Sequence, residues 1–258
     1  MRLIFDKYQG AGNDFIIIDN RDGKQNLSSE KISILCDRRF GIGADGLILV
    51  EKSDSADFAM KFYNSDGKTA SMCGNGGRCI AKYAFDHKIA GKEMKFSAED
   101  GIHEASIIDN DTVRIKMIDV KGITAFDDGM WTNTGVPHFV KFVDDITKVN
   151  VNAEGRKLAD DKRFAPDRTN VNFIDNADGY RIATYERGVE GETLACGTGT
   201  VATALCINAK TGLPSPISIK AKGGALKVYF EKNNCGYKNI WLEGPAIKVF
   251  EGETNGNF

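Results

Sequence analysis

The chain has 258 residues, of which 41% are hydrophobic and 27% charged, with 34 Lys and Arg against 36 Asp and Glu. This is the balance of a folded globular protein with enough chain for two ordinary domains, and it argues against disorder, a collagen-like repeat or a disulfide-stapled miniature. A net charge of −2 with no long basic run leaves no broad cationic footprint for nucleic acid or an anionic membrane surface.

No stretch approaches the roughly 20 apolar residues that cross a bilayer. The opening residues Met1-Arg2-Leu3-Ile4-Phe5-Asp6 lack an apolar signal segment, so a cytoplasmic location is expected. Cysteines at 36, 73, 79, 196, 206 and 235 form no Cys-x-x-Cys pair and are expected as free thiols in a reducing compartment. Three scattered histidines without an H-E-x-x-H run give no metal site.

Short apolar runs at Leu3–Phe5, Phe15–Ile18, Leu47–Val50 and Met60–Tyr63 predict strands. Between the second and third, Ser28 or Ser29 caps a helix expected to reach about Arg39, with Ile32, Leu35 and Cys36 on one face and Gly41 as its stop. Further strands are expected near 93–98, 102–108, 112–117, 138–143, 169–175, 180–186, 216–221, 225–231, 239–243 and 246–250. The class is mixed, with many more strands than helices.

Two glycine-rich segments break this pattern, and each leads into a helix-like run. One is Cys73-Gly74-Asn75-Gly76-Gly77-Arg78, the other Cys196-Gly197-Thr198-Gly199-Thr200. Each follows a strand and a polar turn, and the two cysteines stand about half the chain apart. The pattern predicts an internal duplication, with Lys121-Gly122-Ile123-Thr124 as the crossover between halves. Gly41-Ile42-Gly43-Ala44-Asp45-Gly46 matches the dinucleotide fingerprint in letters only. There a strand must precede the glycines and a helix must follow, and here the order is reversed.

A thiol at a helix N-terminus faces free backbone N–H groups and the positive end of the helix dipole, which lower a cysteine's pKa. Glycines let the same amides approach a carboxylate. One thiolate and one thiol flanking a single carbon would remove a proton from one face and deliver one to the other, inverting the centre without metal or pyridoxal phosphate. The plainer alternative, two buried structural cysteines, fits one such motif better than two copies at half-chain spacing.

Taken together, Gly10-Ala11-Gly12-Asn13-Asp14-Phe15, Gly41–Gly46, Asn64-Ser65-Asp66-Gly67, Met72–Cys79, Pro137-His138, Arg168-Thr169-Asn170, Glu186-Arg187-Gly188 and Ala195–Gly199 resemble the diaminopimelate epimerase family, among the cofactor-independent two-cysteine amino-acid racemases. The resemblance runs over nearly the whole chain. It implies interconversion of LL- and meso-2,6-diaminopimelate in lysine and peptidoglycan-precursor synthesis, with no cofactor. It implies an α+β fold of two pseudo-symmetric domains, each a curled mixed sheet around a central helix, with the active site in the cleft between them. The domains would span 1–121 with a returning segment at about 249–258, and 122–248.

By the same resemblance Cys73 and Cys196 are the acid/base pair, with Glu186 and His138 in support. Asn75, Gly76, Gly197 and Thr198 would hold the reacting α-carboxylate, and Asn13, Asn64, Asn170, Glu186 and Arg187 would contact the rest of the substrate. These residue types suit a zwitterion. Arg187 forms a fork for a distal carboxylate, and Glu186 accepts from an ammonium. Read without the resemblance, Asn13 and Asn64 serve equally as turn formers and Glu186-Arg187 as a solvated pair. The family implies a homodimer and a small-molecule substrate, with no nucleic-acid or membrane partner. His87 and His103 are expected to be exposed, and Cys79, Cys206 and Cys235 to lie in the core.

Two positions depart from many relatives. Val136 stands in Gly135-Val136-Pro137-His138 where those carry Asn, and Gly46 stands where some place Gln. Two other functions compete. A proline or hydroxyproline racemase is expected to carry His after Cys-Gly, where this chain has Asn75. A non-catalytic binding protein or redox sensor would use the same thiols without exchanging a substrate proton.

Overall fold

The computed structural model describes residues 2–70 and 72–254. In the first part of the chain the elements are β1 (Leu3–Gly10), β2 (Asn13–Asp19), α1 (Ser29–Cys36), β3 (Gly46–Glu51), β4 (Phe58–Asn64), α2 (Gly74–Asp86), β5 (Glu93–Ala98), β6 (Gly101–Ile107) and β7 (Thr112–Lys116). They continue with β8 (Thr124–Phe126), β9 (Gly129–Asn133), β10 (Pro137–Phe142), α3 (Val151–Ala159), β11 (Asn170–Asp175), β12 (Arg181–Glu186) and β13 (Gly191–Thr193). The last are α4 (Gly197–Thr211), β14 (Ile217–Ala221), β15 (Gly224–Asn233), β16 (Gly236–Pro245) and β17 (Ile247–Thr254).

The described residues up to Ile115, together with those from Pro245 onward, form one compact unit, and Lys116–Gly244 form the other. These divisions fall a few residues before the 121/122 and 248/249 boundaries expected from sequence. The cause at the second is strand pairing: β17 runs antiparallel to β1, from Leu3 opposite Thr254 to Gln9 opposite Ile247. Residues 255–258 of the expected returning segment lie outside the described residues.

The first unit is a mixed sheet in which β1–β2 is antiparallel, β2–β3 parallel, β3–β4 antiparallel, β4–β5 parallel, and β5–β6 and β6–β7 antiparallel. The second repeats this succession through β9, β10, β11, β12, β14, β15 and β16. In each unit a short helix, α1 or α3, joins the second and third strands of the series, and a longer one, α2 or α4, joins the fourth and fifth. The fold is α+β and duplicated. The repeat therefore extends beyond the two cysteine motifs that announced it.

Helix α4 is central because its sequence is apolar nearly all round, and such a helix must be enclosed; α2 is buried along most of its length although it carries Asn75, Arg78 and Lys82. In α4, Val201, Ala202, Ala204, Leu205, Cys206 and Ile207 are all buried, as are Cys79, Ile80, Ala81, Tyr83 and Ala84 of α2. The short helices cover the opposite requirement, one apolar stripe each. Ile32, Leu35 and Cys36 of α1 pack with Ile16, Ile18, Leu47 and Leu49.

Helix α1 ends at Cys36, short of the expected Arg39. Asp37 stops it, since its Oδ1 accepts from the N–H groups of Arg39 and Phe40, both at 2.7 Å, and turns the chain. Gly41 lies in the turn beyond, where its N–H donates to the Asp37 carbonyl at 3.0 Å.

Gly67 closes the turn that carries Asn64. Its N–H donates to the Asn64 carbonyl at 2.9 Å, its φ is +80°, and a Cβ there would stand 2.0 Å from the Ser29 carbonyl oxygen. Gly67→Ala is expected to cost about 2 kcal/mol or more, because a strained φ adds to a backbone clash. Urea unfolding would show this as a lower midpoint at unchanged slope.

Candidate active site

In the first unit Cys73 is the N-cap of α2, with extended backbone, and its carbonyl accepts from Gly77 N–H at 2.7 Å. The first N–H groups of the helix are left without intrahelical acceptors. Cys73 Sγ donates to Asn13 Oδ1 at 3.7 Å, and Asn75 Nδ2 donates to the same oxygen at 3.3 Å. The orientation of Asn13 is fixed on its other side, where Nδ2 donates to Asp45 Oδ2 at 2.6 Å. An amide oxygen only accepts, so this contact favours the protonated thiol.

Beneath these residues Arg78 is fully buried. Its guanidinium donates to Asn75 Oδ1 at 2.8 Å, Gly74 O at 3.2 Å and Pro245 O at 3.3 Å. Desolvation pulls its pKa down, and the three acceptors keep a buried cation satisfied. Arg38 bonds both Asp14 oxygens and Asp45 Oδ1, and with Lys7 it holds the Asp14 carboxyl far below the usual range against desolvation. A chain of donors therefore runs from Arg78 through Asn75 and Asn13 to Asp45. The structure gathers Asn13, Cys73 and Asn75 in this network, with buried Gly76 in the next turn position. Asn64 stands exposed at the end of β4, opposite Gly46 in β3.

The second unit places Cys196 as the N-cap of α4, its carbonyl accepting from Thr200 N–H at 2.9 Å. Its Sγ is 3.5 Å from Thr198 Oγ1 and also bonds Glu186. Burial pushes the Glu186 carboxyl up, while hydrogen bonds from Thr193 Oγ1, at 2.6 Å, and from Cys196 oppose the rise. A carboxyl so poised has the chemistry to accept a proton from an adjacent thiol.

His138, wholly buried on β10, lies with Nε2 at 2.9 Å from Thr198 Oγ1. Desolvation, aided by Arg187, lowers its pKa to about 3, so it is a neutral imidazole. Asn170 is opposite His138 in the β10–β11 ladder, and its Oδ1 accepts from Arg187 N–H at 2.9 Å. The Arg187 guanidinium donates to the Asp167 carbonyl. His138, Glu186, Cys196 and Thr198 are thus brought together, with Gly197 opening α4 and Asn170 holding the Arg187 backbone.

Sequence reasoning passed over Arg78, Asp45, Asn172, Thr184 and Thr193. Asn172 alternates with apolar Val171 and Phe173 in β11, a pattern that could have flagged it, whereas three-residue β13 is too short to flag Thr193.

Two other expectations are corrected. Cys235 is exposed, because it sits in the Asn233–Gly236 turn, where its N–H donates to Asn233 Oδ1 at 2.8 Å. His103 is half-buried, since it faces Phe96 across β5–β6, stacks on that ring at 5.3 Å and bonds Asp100 Oδ1 at 3.1 Å. His87 is exposed as expected, yet it is engaged, with Nε2 2.6 Å from Asp6 Oδ2 and its ring stacked on Tyr83.

Burial pushes the thiols of Cys36 and Cys206 up to about 12 and that of Cys79 higher still. Among these three and Cys235, iodoacetamide is expected to label only Cys235 in the folded protein, because reactivity needs thiolate and access. Peptide mapping before and after denaturation checks this. Among the described residues there is no cluster of His, Cys, Asp and Glu that could hold a metal ion, and no helix is long and apolar enough to cross a membrane.

Comparison with solved structures shows the fold is shared. A Bacillus anthracis phenazine biosynthesis protein of the PhzF family superposes with a TM-score of 0.78 at 13% identity, over 98% of this chain and 99% of that one. A hydroxyproline epimerase from Agrobacterium vitis gives 0.69 at 13%, over 98% and 91%.

Sequence comparison goes further. Diaminopimelate epimerases from Flavobacterium psychrophilum and Chlorobaculum tepidum are 46% and 44% identical, over 95% and 94% of this chain and 97% and 98% of theirs. The family model for diaminopimelate epimerase matches residues 5–121 and 130–249, both halves of the duplicated fold. The chain belongs to the diaminopimelate epimerase family.

Proposed function

We propose that this protein interconverts LL- and meso-2,6-diaminopimelate by proton transfer at the α-carbon, with Cys73 and Cys196 as acid and base. The carrying observation is that each cysteine is the N-cap residue of a buried, glycine-started helix at equivalent points of a duplicated fold, each thiol with its own hydrogen-bonding neighbours. Cys73 faces an amide acceptor, Asn13 Oδ1, that favours the thiol. Cys196 adjoins the raised carboxyl of Glu186 and the hydroxyl of Thr198.

In the cycle, Cys196 first gives its proton to Glu186. The resulting thiolate takes the α-proton, and the C–H electron pair spreads into the α-carboxylate. Cys73 then delivers its thiol proton to the opposite face, which inverts the centre and leaves Cys73 as thiolate. The reverse reaction uses the sulfurs in exchanged roles. The amides of Asn75, Gly76, Gly197 and Thr198 hold the α-carboxylate, where fixed N–H dipoles stabilise the charge that develops as the proton leaves. Asn13, Asn64, Asn170, Glu186 and Arg187 recognise the remaining groups, and polar contacts at an unreactive end discriminate strongly against a substrate that lacks them.

The test is to incubate the purified protein with LL-diaminopimelate and no added cofactor, and to resolve the stereoisomers. Appearance of meso product, with no racemisation of proline or hydroxyproline, is expected. Turnover of a cyclic imino acid in place of diaminopimelate would overturn the substrate assignment.

A further inference from the structure

Asn172, on β11, is wholly buried and belongs to none of the motifs that carry the family resemblance. Its amide orientation is set by an acceptor that cannot be reversed. Nδ2 lies 3.3 Å from the Phe139 carbonyl oxygen, so that end of the side chain must be the NH2 group. The second N–H of the same group points to His138 Nδ1 at 3.1 Å, and Oδ1 accepts from Thr184 Oγ1 at 3.0 Å.

A nitrogen that accepts carries no proton. His138 therefore holds its proton on Nε2 and donates it to Thr198 Oγ1 at 2.9 Å. With that oxygen accepting, the Thr198 hydroxyl hydrogen is available to Cys196 Sγ at 3.5 Å. Every link from Thr184 to Cys196 then has one direction. The depressed pKa of buried His138 agrees with a neutral imidazole.

We propose that Asn172 is a positioning residue for the reaction: seated by Thr184, it fixes His138 as the Nε2–H tautomer, so that Thr198 donates to Cys196 Sγ and supports its thiolate. The inference rests on the reading of Cys196 as an acid/base group. The thiolate forms when the Sγ–H proton passes to the Glu186 carboxylate, giving a carboxyl and S⁻, and the Thr198 hydrogen bond stabilises that side of the transfer. The titratable and charged groups facing this arrangement are Glu186, from β12, which bonds Cys196, and Arg187, which disfavours a charged His138.

The second glycine of Cys196-Gly197-Thr198-Gly199 gains a reason here. A Cβ at Gly199 would stand 2.4 Å from Asn172 Oδ1 and 3.2 Å from His138 Cε1, so only glycine lets α4 begin over this amide.

The test is Asn172→Asp, nearly isosteric but with an acceptor where NH2 stood. The carboxylate would draw the imidazole proton to Nδ1, and Nε2 would then accept the Thr198 hydrogen and take it from the sulfur. A fall in kcat of about 10²-fold with KM within about twofold is expected, the size of a lost acid–base contribution. The iodoacetamide pH profile of Cys196, read by peptide mass spectrometry without substrate, is expected to move up by about one pH unit.

Because the variant could fail to fold, the decisive reading is made on the unaltered protein. Histidine ¹⁵N spectra across the neutral range are expected to show His138 protonated on Nε2 alone. A proton on Nδ1, exchange between tautomers, or an unchanged Cys196 profile in folded Asn172→Asp overturns the proposal. Neither spectrum nor alkylation needs diaminopimelate. A protein that shows the Nε2–H tautomer and the shifted profile but does not turn over diaminopimelate would sink the substrate assignment and leave the positioning role standing.

Discussion

Replacing Cys73 or Cys196 by Ala is expected to lower kcat for epimerisation by about 10³-fold or more in both directions, with the fold intact. Inversion needs a group that removes a proton on one face and a group that supplies one on the other, and neither thiol substitutes for its counterpart. Each positioned acid or base contributes about 10²- to 10⁴-fold, and residues that act as a unit lose nearly everything when one is removed. The structural cost is small. Neither side chain makes a capping hydrogen bond to its own helix, so truncation to Ala leaves the helix starts unchanged. Stereoisomer-resolved rates for the two variants, with thermal unfolding as the control for folding, measure the effect. Near-normal turnover in either variant would remove the two-thiol mechanism.

Arg187→Ala is expected to raise KM and depress kcat strongly, whereas Val136→Ala changes both modestly. Arg187 follows Glu186 at the end of β12, its backbone N–H held by Asn170 Oδ1 at 2.9 Å and its guanidinium by the Asp167 carbonyl. A guanidinium whose protein partner is a neutral carbonyl is free in charge to pair with a distal carboxylate of the substrate, and losing such a pair costs about 2–5 kcal/mol. Val136 is half-buried and apolar, and trimming one apolar side chain at a site costs about 1–3 kcal/mol at most. The gap in kcat/KM between the variants is therefore expected to be about tenfold. Equal damage from both would move the distal recognition away from Arg187.

The strands with strong alternation or apolar runs were readable in the sequence, as were the two central helices, because a mostly apolar run follows each glycine motif. What escaped notice was short or internally contradictory. β8 and β9 form a hairpin around Asp127-Asp128, but three residues on one arm give periodicity too little to act on. β13 is as brief. Helix α3 carries Gly155 in its middle, which lowers its intrinsic propensity. Its signal was the cap: Asn150 Oδ1 accepts from Ala153 N–H at 3.1 Å, with Glu154 in the first turn.

The site divides in the same way. Residues that sit in motifs beside glycines, such as Cys73, Asn75, Cys196 and Thr198, stand out because chemistry and backbone geometry coincide there. Asn172 and Thr184 lie inside ordinary strands, away from any glycine motif. Their importance comes from which atoms they face, and pairing across β11–β12, where they stand opposite each other, is set by tertiary structure.

The two-base mechanism is tested by running the reaction in deuterated water with no added cofactor, and reading deuterium at the α-carbon of product and of recovered substrate early in the time course. Because one thiol removes the proton and the other, equilibrated with solvent, returns a deuteron to the opposite face, the product is expected to carry one α-deuterium from the first turnovers while recovered substrate carries almost none. Equal labelling of substrate and product would mean a single base serving both faces, and product formed without deuterium would mean that the proton never reaches a solvent-exchanging thiol. Either pattern overturns the assignment of Cys73 and Cys196 as opposed acid and base.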